Sequence, residues 1–247
     1  AGDDADFIVV DSLENFQVLK TVIRGATVME DGRSTFPKVR PNVLNSFKTG
    51  PKNPSDFTVR RQGDRVRVIE AFNGQLVTGQ TIESLPPGGD VVTADVRRDL
   101  LKIAVINRYR DTVPAVGFIR NFGLKQGAIA SSVAHDSHNI VAVGVTDKEL
   151  ALAVNAVIRE EGGLAVVSDG DEEILPLPVA GLMSVENGEV VAGAYEGLSR
   201  KTKALGSILD APFMTLSFMS LLVIPSLKLS DLGLFDAESF QFVPLFV

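Results

Sequence analysis

Both histidines of the chain, His135 and His138, fall in the pentapeptide His135-Asp136-Ser137-His138-Asn139, inside GAIASSVAHDSHNIVAVG at 127–144. Imidazoles titrate near neutral pH and ligate divalent metals, and a carboxylate beside an imidazole orients it as a general acid or base. Spacing limits what the pair can do together. On a strand the two rings would point to opposite faces and could not share one ion, whereas a turn or helical bend brings positions i and i+3 together. The apolar runs on either side, GAIASSVA and NIVAVG, favour a tight loop or bulge between two strands. The competing reading is a turn in which Asp136 and Asn139 bond the backbone and the histidines fill space.

Other segments offer weaker chemistry. GLKQG at 123–127 is a glycine-flanked basic loop able to meet an anion, but it lacks the Lys-Ser or Lys-Thr pair of a phosphate-binding loop. SDGDEE at 168–173 is acidic enough for calcium yet lacks the full liganding pattern, which favours a charged hairpin turn. Met214 and Met219 in FMTLSFMSLL read as core packing. The absence of cysteine excludes disulfides, thiolate zinc sites and a cysteine nucleophile, and points to a reducing compartment.

These residues need a scaffold, and 247 residues with 45% hydrophobic side chains can bury a sizeable core. A net charge of −7 argues against nucleic acid or an anionic membrane surface as partner. The one basic run, VRRQGDRVRV at 59–68, alternates with valines as a strand with a solvated face does. The most apolar segment, at 211–227, is bracketed by Pro212 and Pro225 and falls short of the roughly 20 residues of a membrane helix, so it reads as buried core. The opening residues have neither a basic leader nor a signal-peptide core, and run directly into strands within 6–30 that turn at Gly25 and at Asp31-Gly32. So small a sheet leaves an edge uncovered and reads as the end of something larger.

A connector at 36–57 carries Pro37, Pro41, Pro51 and Pro54 and should pair little. Asn73-Gly74 then predicts a hairpin with strands at 65–72 and 75–82. LPPGGD at 85–90 marks a boundary between a β-rich segment, 1–88, and a second domain, 89–247. In the second, TDKELALAVNAVIREEGG at 146–163 predicts a helix capped by Thr146 or Asp147, with Leu150, Ala153, Val154 and Val157 inward and Gly162-Gly163 ending it. NGEVVAGAYEGLSRKTKALG at 187–206 predicts another, weakened by Gly193 and Gly197. Strands and helices mixed without a regular βαβ repeat give an α+β fold.

The strings GFIRNFGLKQGAIASSVAHDSHNIVAVG, LPLPVAGLMS, APFMTLSF and FVPLFV resemble, in order from about residue 100 to Val247, the C-terminal part of adenine deaminases of the amidohydrolase superfamily. The opening GDDADFIVVDSLENFQVLKTVIRGATVMEDGRS resembles the segment with which amidohydrolases leave their catalytic barrel for a small β-sandwich. In the intact enzyme the resemblance implies hydrolysis of adenine to hypoxanthine and ammonia, within cytoplasmic purine salvage. It also implies a divalent metal (Mn, Fe or Zn) held by an N-terminal barrel portion, none in this chain alone, and a homo-oligomer. The His-x-His pair of such barrels does not occur here, so the chain reads as the rear portion of a longer deaminase, inactive by itself. His135, Asp136, Ser137 and His138 become candidate catalytic residues, and Asn139, Lys125 and Gln126 candidate substrate contacts, on a loop reaching back over the barrel mouth. NRYRDT at 107–112 departs from a histidine-containing turn in relatives, so Tyr109 and Arg110 would alter the pocket if that turn meets substrate. A non-catalytic binding or assembly domain with the same fold is the second reading.

Overall fold

The computed structural model describes residues 2–37 and 41–247, so Lys38, Val39 and Arg40 of the expected connector lie outside the described residues. Contacts divide the chain into two units, Ala1–Pro41 and Asn42–Val247.

Paired positive-φ residues shape the first unit. Arg24 and Gly25 (φ 49° and 75°), then Asp31 and Gly32 (47° and 73°), make the two-residue turns that match strand twist. They join β2 (Val18–Ile23) to β3 (Ala26–Glu30) and β3 to β4 (Arg33–Ser34), and with β1 (Phe7–Val10), which reaches β2 through the 11–17 loop, these strands form an antiparallel sheet in the order β1-β2-β3-β4. The sheet is open, with β1 and β4 at its edges. Val22 and Val28 are buried, whereas Phe7, Ile8, Val9 and Ile23 are exposed.

In the second unit a 3-10 turn at Pro54–Phe57 leads to β5 (Val59–Arg60), β6 (Arg65–Ala71), β7 (Thr78–Ser84) and β8 (Val91–Val92). Then come β9 (Leu101–Ile106), β10 (Ala115–Arg120), β11 (Ala128–Ser131), β12 (Ile140–Gly144), α1 (Asp147–Arg159), β13 (Gly163–Ser168) and β14 (Asp171–Pro176). Last are α2 (Gly188–Ala204), α3 (Pro212–Ser217), β15 (Leu227–Ser230), β16 (Gly233–Asp236) and β17 (Gln241–Phe242). Eight strands form one mixed sheet in the order β14-β13-β11-β12-β9-β10-β6-β7, with β10 and β6 parallel. The fold is α+β, as the sequence indicates. The compact division falls at Pro41/Asn42, and the 65–84 hairpin is built into the large sheet because β6 pairs with β10. The 85–90 segment is the loop between β7 and β8.

Every residue of β9 is buried, since the sheet is covered on both faces. On one face Ala104, Ala128, Ala130, Ala142 and Ala165 admit α1 closely, against Leu150, Ala153, Val154 and Val157. On the other, Ile103, Val105, Ile129, Val141 and Val166 meet Leu198 of α2, Phe213 and Leu216 of α3, Met219, and Leu227 and Leu229 of β15. Thr146 caps α1, its hydroxyl oxygen accepting from Glu149 N–H at 3.1 Å. Asn187 caps α2 by accepting from Val190 N–H at 3.0 Å, but only Leu198 and Thr202 of that helix are fully buried. Met219 is core, whereas Met214 is 53% exposed. The acidic 168–173 segment is the β13–β14 hairpin, with Lys201 bridging Asp171 (2.6 Å) and Glu173 (2.8 Å).

The second hairpin strand starts at Thr78 rather than 75. Two tethers draw the 72–77 segment away: Asn73 exchanges hydrogen bonds with Asp210 (2.7 and 2.9 Å), and Leu76 O accepts from Lys228 Nζ at 2.7 Å. Lys228 is fully buried, donates also to Phe218 O at 3.1 Å, and makes no ion pair among the described residues. Burial pushes its pKa down from 10.5 to about 8. Between those values the unfolded chain binds a proton that the folded chain does not, so stability rises with pH across that window, and below it the folded state bears the cost of the buried charge. Denaturation midpoints from pH 7 to 10.5 should therefore show the wild type gaining about 1 to 3 kcal/mol relative to Lys228→Met. Parallel pH profiles for the two proteins would show that the ammonium is not desolvated.

Candidate functional site

Strands β11 and β12 pair from Ala128↔Gly144 to Ser131↔Val141, so residues 132–139 are the loop of a hairpin at one end of the large sheet. Three anchors hold its first half. Ser131 Oγ accepts from Val133 N–H at 2.9 Å, Ser132 Oγ donates to Gly181 O at 2.6 Å and accepts from Gly163 N–H at 2.8 Å, and His135 N–H donates to Ser217 O at 2.9 Å. The turn then closes through His138 N–H to Ala134 O at 2.6 Å, with His138 at φ 51°, a left-handed conformation uncommon for residues other than glycine.

That turn brings the imidazoles together, edge to face, with ring centroids 5.5 Å apart. His135 also stacks on Phe218 at 4.8 Å and 23°, while its ring nitrogens have no hydrogen-bond partner among the described residues. His138 is pushed below the ordinary histidine range, first by burial, then by the nearby charges of His135 and Arg108, against the opposing pull of Asp136. The shift favours its neutral form. Its Nδ1 faces Ala134 N–H at 3.4 Å, which leaves the proton on Nε2. Asp136 and Ser137 are exposed and their side chains bond nothing among the described residues.

Asn139 points inward. It is 3% exposed and its Oδ1 accepts from Arg108 N–H at 3.3 Å. The backbone-bonding role of a plain turn thus falls to Asn139 and not to Asp136. Lys125 and Gln126 are exposed at the start of β11, the opposite end of the sheet, where Lys125 Nζ reaches Val96 O at 3.3 Å. The structure does not bring them to the histidines.

Beneath the first half of α2 an apolar cavity of about 240 Å³ opens beside His135, between Val133, Leu175, Leu177, Val191, Tyr195 and Phe213. A cavity of about 330 Å³ between Arg61, Pro86, Val92 and Arg98 is lined by none of the candidate residues. Sequence reasoning missed Arg108 and the Ser217-Phe218 end of α3. Arg108 stands first after the apolar β9 run and Asn107, a position where a buried cation leaves no pattern.

Two imidazoles, one held neutral, and a free carboxylate can accept or deliver protons and can bind the polar edge of a heterocycle. Among the described residues no three His, Asp or Glu side chains converge to hold a metal ion. The fold and the loop thus define a class: an α+β domain that presents two imidazoles and an exposed carboxylate on a hairpin loop at one end of a mixed sheet. Residues 75–241 match the family of the adenine deaminase C-terminal domain, and the chain belongs to that family. It is 54% identical to an adenine deaminase of Salinibacter ruber, 46% to one of Parabacteroides distasonis and 47% to one of Methanosarcina acetivorans. These alignments cover 99 to 100% of the chain but only 45 to 46% of each relative, so the chain spans under half the length of the relatives it matches.

Proposed function

We propose that the chain serves as the C-terminal part of an enzyme hydrolysing adenine to hypoxanthine and ammonia, and that His135, Asp136 and His138 border the base in the intact protein. The observation that carries this reading is the free polar surface of the loop. Among the described residues the His135 ring nitrogens and the Asp136 carboxylate have no hydrogen-bond partner, although the backbone that carries them is anchored, an arrangement that preorganises polar groups the fold does not use. Purine edges offer ring-nitrogen acceptors and an amino donor, which a neutral imidazole and a carboxylate complement. Hydrolysis moves protons onto the leaving amino nitrogen, and His135 with Asp136 supplies a group for that transfer. The divalent metal (Mn, Fe or Zn) finds no fit among the described residues and is assigned to the length that relatives have beyond this chain. Lys125 and Gln126 are not part of the proposed site.

Hypoxanthine and ammonia release, measured with Mn, Fe or Zn added, tests the reading. The protein at the length of its relatives should turn over adenine and the 247-residue chain should not. Steady ammonia release by the chain alone would refute the division of labour; an inactive longer protein would favour the non-catalytic assembly domain.

A further inference from the structure

We propose that Arg108 and Tyr109 are the positioning residues of the 135–139 loop, holding it through a directed chain from guanidinium to phenol to backbone carbonyl. The inference rests on reading that loop as part of a deaminase site.

Arg108 is 4% exposed and forms no ion pair among the described residues. Its Nη1 donates to Ala180 O at 2.8 Å and its Nη2 to Tyr109 Oη at 2.9 Å, while Nε finds no partner there. The charge lies over the rings of Phe47 (5.7 Å) and Tyr109 (4.8 Å) instead of against a carboxylate. A guanidinium can only donate, so the phenol oxygen must accept from it and turn its own hydrogen outward. That hydrogen goes to Ser137 O at 3.0 Å. The direction of the chain is therefore fixed. Arg108 N–H reaches Asn139 Oδ1 on the far side of His138, so the two contacts bracket that histidine.

The turn carrying this pair is itself anchored. Asn107 Oδ1 accepts from the N–H groups of Tyr109 (2.9 Å) and Arg110 (3.0 Å), and Asn107 Nδ2 donates to Asp231 at 2.7 Å. Gly181 keeps room for the guanidinium, since a Cβ there would lie 2.0 Å from Arg108 Nη1. A buried cation without a carboxylate is a poor way to gain stability, because an apolar side chain of similar size fills such a position without the desolvation cost. What the cation adds is its field on His138, where it acts with His135 against protonation and with Asp136 opposing.

Two histidines make the test direct. In 13C-histidine-labelled chain the two imidazole signals are assigned with His135→Gln and titrated from pH 4 to 9, alongside amide hydrogen exchange. Arg108→Met should raise the His138 midpoint, whereas Arg108→Lys should keep it near wild type. Arg108→Lys and Tyr109→Phe should each speed exchange at His138, whose N–H bonds Ala134 O, by about tenfold or more while α1 amides stay protected. An unmoved His138 midpoint in a folded Arg108→Met chain would overturn the proposal, as would unchanged loop exchange in Tyr109→Phe. Should Arg108→Met not fold, the exchange result in the two milder variants decides. No turnover is read, so a failed catalytic assignment would leave this result standing.

Discussion

Replacing Asp136 or His135 in the protein at the full length of its relatives is expected to lower kcat for adenine by about 100-fold or more, the range for a lost acid–base group or orienting partner. Asp136 is the cleaner probe. Its carboxylate is exposed and bonds nothing among the described residues, so Asp136→Ala and Asp136→Asn should leave the denaturation midpoint where it was. His135 also stacks on Phe218, and His135→Phe therefore serves beside His135→Ala: it retains a stacked ring while removing the titrating nitrogens. Equal losses of kcat in both His135 variants, with a smaller stability loss in His135→Phe, would place the imidazole in the reaction. Normal kcat per folded molecule with a lowered midpoint would make the loop purely structural.

The second large effect concerns stability. Lys102 is 1% exposed on β9, and its ammonium meets Asp147 at 2.5 Å and Phe57 O at 3.0 Å, at the first turn of α1. Removing only the carboxylate leaves a buried charge with a single carbonyl, so Asp147→Ala should cost about 3 to 5 kcal/mol of unfolding free energy in urea denaturation. Lys102→Met in the same background should restore most of that loss, since an apolar side chain carries no desolvation penalty. A double variant no more stable than Asp147→Ala would show that helix capping, not the buried ammonium, accounts for the cost. The pair ties α1 to the sheet far from the histidine loop, so turnover per folded molecule should be unaffected.

Local rules carried much of this protein in the open. The α+β class, the capped helix from Asp147 and the hairpin turns at Gly25 and Gly32 follow from period, capping and positive-φ demands that act within a few residues. The charged nature of the 168–173 turn follows in the same way. The pentapeptide at 135–139 stood out by residue type alone, and the strings around it carried the family. Where distant partners compete with local preference, the sequence was silent or misleading. Asn73-Gly74 reads as a two-residue hairpin turn, but its Asn is claimed by Asp210 and its neighbour Leu76 by Lys228, which delays the second strand to Thr78. The 85–90 loop has the composition of a boundary, yet the pairing of β6 with β10, fifty residues apart in register (Val68↔Phe118), binds the hairpin into the larger unit. Tertiary structure alone decided that Asn139 turns inward onto Arg108 N–H, that His135 stacks on Phe218, and that Tyr109 reaches Ser137 O. Each joins atoms from segments distant in sequence, and composition and spacing within one segment hold no record of what lies beside it in the fold.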